Sequence, residues 1–321
     1  MLIPWMRASL YAVALLGAAA HAESYPDKPV SMVVPYPAGG ATDMVARAVS
    51  EQLALAWKQP VVVENRAGAG TTIAAAAVAR ASGDGYTLFM TTSAHTISGH
   101  LYPDLAYDAI KDFAPITLVT KVPLVLVVNP QIPATTLPEF LAYLKQHGKD
   151  VNFASPGNGT AQHLSGELFK LATKSPITHV PYRGDAPAFA DLAGGQVQMM
   201  LATITSALPL IESGKLRALA VAHNKRVPAL ANVPTFGEAG MPGFEAATWF
   251  GLLAPASLPP QRAQRIYQDV SRIVDTAQMR KRIEALGGDV VNSTPQEFAE
   301  FILAEQEKWG KAVKAAGAAK P

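Results

Sequence analysis

Two short stretches of this chain have the residue types to hold a small anion. Pro35-Tyr36-Pro37-Ala38-Gly39-Gly40-Ala41-Thr42-Asp43 leaves an apolar run and enters a segment with helical spacing. Ala154-Ser155-Pro156-Gly157-Asn158-Gly159-Thr160 does the same ahead of His163. A helix N-terminus presents unpaired N–H groups and a partial positive charge, and glycines let a ligand approach the backbone. In the first stretch Gly39 and Gly40 permit that approach, while Thr42 or Asp43 is placed to cap the helix. Either stretch alone describes a capped turn. Together, in separate α/β halves, they fit a carboxylate held between two lobes.

Other chemistries lack their residues. The chain has no cysteine, which removes disulfides, thiolate metal sites, cysteine nucleophiles and a lipid-bearing N-terminal cysteine. Beyond the leader the histidines are His95, His100, His147, His163, His179 and His223. None forms H-x-x-H or H-E-x-x-H and no carboxylate cluster accompanies them, so no metal site is expected. Neither G-x-S-x-G nor S-x-x-K occurs, although a triad dispersed along the chain stays open because triads are recognised by geometry. Gly68-Ala69-Gly70-Thr71-Thr72-Ile73 imitates a dinucleotide fingerprint, but Ile73 stands where the third glycine is needed. A tight strand-to-helix turn explains it better, and no cofactor is expected.

The elements that must position these loops alternate. Strands are predicted at Val30–Val34, Val61–Val63, Tyr86–Thr91, Ile116–Val119, Leu124–Val128, Val151–Ala154, Val197–Leu201, Leu216–Ala222 and Trp249–Ala254. Helices are predicted at Asp43–Ala56, Thr72–Ala81, Pro138–His147, Gln162–Ala172, Ala186–Ala193 and Leu208–Ser213. Three more, Pro260–Thr276, Thr276–Leu286 and Pro295–Ala316, form an all-helical tail that returns to close an earlier domain. Strands separated by helices argue an α/β fold with parallel sheets.

The 321 residues are 49% hydrophobic and 16% charged, with a net charge of +2. Disorder is excluded, a length of about two domains is implied, and nothing forms an electrostatic footprint for nucleic acid. Met1–Arg7 is a basic start, Leu10–Ala20 is apolar, and Ala20-His21-Ala22 suits signal peptidase. The apolar run is shorter than the roughly 20 residues a membrane-spanning helix needs. A signal peptide over 1–22, cleaved after Ala22, and a periplasmic product are expected.

The order and spacing of several further motifs are specific. They are Tyr25-Pro26-Asp27-Lys28-Pro29-Val30, Pro37–Asp43, Glu64-Asn65-Arg66-Ala67-Gly68-Ala69-Gly70, Asp84-Gly85-Tyr86-Thr87-Leu88 and Ser155–Thr160. His179-Val180-Pro181-Tyr182-Arg183-Gly184, Gly214-Lys215-Leu216-Arg217-Ala218-Leu219-Ala220 and Val233-Pro234-Thr235 complete the set. Through them essentially the whole mature chain resembles the solute receptors of the tripartite tricarboxylate transporter system, the Bug family.

That resemblance implies a two-lobed, type II-like periplasmic binding protein with a ligand cleft between lobes. Residues 23–122 with 247–321 would form one lobe, and 123–246 the other. It implies a small organic acid (a di- or tricarboxylate or an aromatic carboxylate) bound by backbone N–H groups, hydroxyls and waters without a salt bridge. The implied pocket takes Tyr36, Ala38, Gly39, Gly40, Thr42 and Asp43 from the first loop, with Ser93, Ala94 and His95 beside them. Ser155, Gly157, Asn158, Gly159, Thr160 and His163 come from the other lobe. Tyr182, Arg183, Thr203, Thr248, Trp249 and Phe250 lie near the cleft. The expected partner is a membrane permease, and the receptor is expected to be a monomer. Many relatives carry Asp-Asn before the Ser-Ala-Leu-Pro that here is Ser206–Pro209, whereas this chain has Ala202-Thr203, which weighs against amino-acid ligands. An exported enzyme acting on a small carboxylate, with Ser93 or His163 in a chemical role, is the alternative from another class. A ligand-dependent sensor is a third.

Overall fold

The computed structural model describes residues 25–317, so the leader expected over residues 1–22 lies outside them. β1 (Val30–Val34), rich in valine and almost wholly buried, pairs in parallel with β2 (Val61–Asn65) and β3 (Thr87–Thr92). Between them run α1 (Ala41–Trp57), which buries Val45, Val49 and Leu53 at helical spacing, and α2 (Thr72–Ala79). A helix not predicted, α3 (Ala94–Leu101), follows β3 at once. Its buried His95, Thr96 and Ser98 interrupt the apolar stripe by which a helix is read from sequence.

The largest departure is β4 (Phe113–Val128), one strand of 16 residues where two were predicted. Pro115 and Pro123 read as breaks, since proline lacks a donor for the ladder. Pro115 adjoins a register shift, and Pro123 pairs with Ala247 at the last position shared with β9 (Ala247–Pro255). From Leu124 onward the same strand pairs with β7 (Met199–Thr203) and β8 (Arg217–Val221). β4 therefore runs through both halves of the molecule.

The second half holds α4 (Leu137–His147), β5 (Asn152–Ser155), α5 (Ala161–Thr173), β6 (Thr178–Pro181), α6 (Asp185–Gly194) and α7 (Ile204–Glu212). The tail supplies α8 (Pro260–Val274), α9 (Ala277–Ala285), β10 (Asp289–Val290) and α10 (Pro295–Ala315). The strand order is β2-β1-β3-β9-β4-β7-β5-β6, with β8 and β10 also on β4. β5 is parallel to β6 and β7, but every ladder involving β4 or β9 is antiparallel. The sheet is therefore mixed, not purely parallel as predicted. The crossing strands are reached by long connections that reverse direction, which no local pattern reveals.

Each half has its own aromatic core. Phe140, Phe153, Phe169 and Phe236 are buried with Leu124 and Leu126 in one, and Phe89, Trp249 and Phe298 with Leu253 in the other. Burying each such ring is worth roughly 1.5–3 kcal/mol. The largest cluster runs through both halves, from Val45, Val49 and Leu88 to Val125, Ala154 and Met200. A small one also joins them: Ile97 and Leu101 of α3 and Trp309 of α10 meet Ala161 and Leu164 of α5. Capping boxes start α4 (Thr136 with Glu139) and α10 (Thr294 with Glu297), each contributing about 1 kcal/mol.

Candidate functional site

The first loop carries β1 into α1, and its cap is not the one predicted. Gly40, not Thr42 or Asp43, is the N-cap residue, and no side chain of the loop caps the helix. The Asp43 carboxylate instead accepts hydrogen bonds from Gly39 N (3.0 Å), Arg47 Nε (2.8 Å) and Asn65 Nδ2 (3.0 Å). Burial works against its charge, but these donors hold the carboxyl below the usual carboxylate range. Asp43 thus braces the loop and leaves the first N–H groups of α1 unclaimed by their own segment.

Those groups face a narrow cleft with a cavity volume of about 20 Å³. Tyr36, Ala38, Gly40, Thr42 and Thr92 line one wall, Pro156, Gln162, Asp185 and Thr203 the other, and Thr248 and Phe250 the end. Oxygens dominate the polar lining. Tyr36 Oη lies 3.3 Å from Thr92 Oγ1, and burial raises the phenol's pKa so that it stays protonated. Gln162 Nε2 donates to Thr203 Oγ1 at 2.8 Å, and Thr248 Oγ1 lies 3.0 Å from Ser93 Oγ. Asp185 is the sole charged side chain among the described lining residues. It opens α6, and its Oδ2 accepts from Ala41 N at 3.3 Å across the cleft.

Seven of the predicted residues (Tyr36, Ala38, Gly40, Thr42, Thr203, Thr248 and Phe250) therefore line one cleft. Others do not reach it, for identifiable reasons. Neighbours on a strand point to opposite faces. Thr248 and Phe250 face the cleft, whereas Trp249 turns into the core, donating to Glu305 Oε2 at 3.0 Å. Gly39 and Asp43 are tied to each other on the loop's outer side, and Ser93 stands behind Thr248. Ala94 and His95 belong to α3 and are buried. His95 bonds the carbonyl of Ala109 at 2.8 Å among the rings of Phe89, Tyr107 and Phe113, and burial lowers its pKa to about 4.

The second loop largely satisfies itself. Ser155 Oγ lies 2.7 Å from His179 Nε2 and 3.1 Å from Gly157 O, while Thr160 Oγ1 caps α5 by accepting from His163 N at 3.2 Å. Gly159 N donates to His163 Nδ1 at 3.2 Å. The imidazoles of His163 and His179 stack at 4.1 Å, and burial lowers them to about 4 and about 3. Asn158 and His163 line a separate depression with Tyr102, Glu167 and Lys170. Gly157, Thr160, Tyr182 and Arg183 line an outer groove of about 570 Å³ that shares Tyr36, Pro37 and Pro156 with the cleft. Tyr182 donates to Asp191 Oδ2 at 2.7 Å, and burial with that carboxylate pushes its pKa up to about 12.

Gln162 and Asp185 were missed as site residues. Gly184-Asp185-Ala186-Pro187 is itself a helix-start signature of the kind that flagged the first two loops. That signal could have found Asp185.

Two α/β lobes crossed by long strands, with helix N-termini turned to the cleft between them, define a two-lobed solute-binding protein. The sequence agrees: residues 45–318 match the tripartite tricarboxylate transporter family receptor model. The chain belongs to that family, the Bug receptors. BugT of Bordetella pertussis is 36% identical over 309 residues, covering 96% of this chain and 95% of its own. Among solved structures, R. palustris Rpa4515 with adipate is 35% identical, with a TM-score of 0.89 over 91% of this chain and 98% of that one. MatC of Rhodopseudomonas palustris with bound malate is 36% identical, with a TM-score of 0.85 over 90% and 100%. No helix among the described residues is long and apolar enough to cross a membrane.

Proposed function

We propose that this protein is a periplasmic receptor that captures a small organic carboxylate in the cleft and delivers it to the permease of a tripartite tricarboxylate transporter. One observation carries the reading. The cleft places the N-terminus of α1 opposite Gln162 and Thr203, with Thr248 at its end and no lysine, arginine or histidine among its described lining residues. Such a lining binds a carboxylate through N–H groups and hydroxyls without a salt bridge. The relatives that hold adipate and malate support the same substrate class.

In this reading residues 23–122 with 247–321 form one lobe and 123–246 the other, after cleavage following Ala22, and the receptor works as a monomer without catalysis. The hinge lies near Lys121–Leu124 and Gly243–Thr248, where β4 changes partners. The test is a thermal-shift screen of organic acids. A ligand at 100 times its dissociation constant stabilises the folded state by about 2.7 kcal/mol. Stabilisation with the acid recovered unchanged is expected. Conversion of the acid to product would establish the exported enzyme instead.

A further inference from the structure

Asp185 stands in the cleft with one carboxyl oxygen unpaired. It comes from α6 and reaches the N-terminus of α1, where Oδ2 lies 3.3 Å from Ala41 N and 3.2 Å from the position a Cβ on Gly40 would take. Its other oxygen, Oδ1, is shut off from solvent and has no hydrogen-bond partner. The polar groups around it are hydroxyls, an amide and backbone N–H; burial raises the carboxyl's pKa, with the Ala41 N–H and the Ser206 hydroxyl working against that shift. A buried carboxylate oxygen left unpaired is costly, so a structure keeps one where a bound group completes it.

A plain dicarboxylate completes it only if Asp185 takes up a proton. It brings further negative charge beside Asp185 into a lining that holds no cation among its described residues. An ammonium supplies both missing properties, a donor and the opposite charge, while the ligand's carboxylate takes the N–H groups and hydroxyls elsewhere in the cleft.

We propose that Asp185 is a specificity-determining residue that selects carboxylates carrying an ammonium group, accepting a hydrogen bond from that ammonium on Oδ1. This inference rests on the reading of the protein as a carboxylate receptor. It names a narrower class, the amino acids and amino-substituted dicarboxylates, against the expectation from Ala202-Thr203, because Asp185 brings a carboxyl into the same cleft from α6.

Calorimetry of the mature protein at pH 7 with matched pairs tests it: succinate against aspartate, glutarate against glutamate, adipate against 2-aminoadipate. The wild type binds the amino member of at least one pair about tenfold or more tightly than its partner, the scale of one charge-assisted hydrogen bond. Asp185→Asn, nearly isosteric, cancels that preference and leaves the plain diacid bound as well or better. Circular dichroism and the melting temperature of the free variant establish that it folds. Two results overturn the selection while sparing the receptor. One is plain diacids bound as tightly as their amino analogues and unaffected by Asp185→Asn. The other is diacids bound preferentially through a protonated Asp185, with Asp185→Asn retaining them. If no acid of the panel binds the wild type, the carboxylate-receptor reading falls and this inference falls with it.

Discussion

Pro123 and Ala247 form the last pair of the ladder between β4 and β9, and β4 changes partners at the next residue. Leu124 N donates to Ala246 O at 2.9 Å, while Leu124 O accepts from Ala222 N at 2.8 Å. The missing proline donor thus falls where β4 passes from the ladders of one half to those of the other. Gly243, at φ +79 with open space around it, lies just upstream of the same crossing. Rotation about this short double crossing would open and close the proposed lobes. Small-angle scattering should show a smaller radius of gyration at saturating ligand, and an unchanged radius would sink the hinge.

Glycine substitutions separate strain from crowding. Gly39 has φ +85 with nothing within 4 Å of a built Cβ, so Gly39→Ala should cost about 1–2 kcal/mol of stability from backbone strain alone. At Gly159, with φ +78, a Cβ would come 2.8 Å from Leu101 Cδ1. Gly159→Val adds β-branching to that strain and clash, for a loss of roughly 2–4 kcal/mol. Urea midpoints of the two variants should fall in that order.

Thr160→Val removes a hydroxyl that caps α5 and donates to Gly157 O at 2.8 Å. Its effect belongs to stability, about 1 kcal/mol. Ligand affinity, read by calorimetry, should change by less than about threefold, well below the 1.4 kcal/mol that a tenfold change represents. A tenfold loss of affinity without a loss of stability would return the hydroxyl to the ligand.

Arg183 lines the outer groove and not the cleft. Arg183→Ala should weaken binding by less than about tenfold, below the cost of losing a bidentate carboxylate clamp. A loss of about tenfold or more would move the binding site outward to the groove.

His95, His163 and His179 are held neutral by burial, with pKa values near 4, 4 and 3. The ordinary imidazole value is about 6.5, so below that pH the unfolded chain takes up protons that the folded chain refuses. Stability from these groups is complete above about pH 6.5 and falls as the pH drops toward their folded values. Three such groups give a slope of up to about 4 kcal/mol per pH unit between pH 6 and 5. Urea unfolding at pH 7 and pH 5.5 should show the drop, and His95→Gln should reduce it by about a third. Equal midpoints at the two pH values would mean that the imidazoles are solvated.

The part of the candidate cleft that was legible carries local signals. Gly39-Gly40 ahead of a helical period, and Thr160 ahead of another, mark helix starts within a few residues of chain. Thr160 does cap α5, but its hydroxyl and the Gly159 N–H serve the loop itself. Sequence shows which groups can bond and not which partner reaches them first. The alternation of Thr248, Trp249 and Phe250 was likewise implicit in strand period, yet which face meets the cleft depends on the sheet that β9 joins.

By itself the sequence determined the α/β character, the family, the two glycine-bearing helix starts and the absence of cysteine chemistry. Each rests on residue type and short spacing, which chain connectivity preserves. Tertiary structure alone decided that β4 is continuous through two prolines, that the sheet is mixed, and that Asp185 meets Ala41. Those contacts join residues far apart in the chain, 144 positions in the last case. They form because burying two cores brings their segments together, and no local pattern encodes the distance between them.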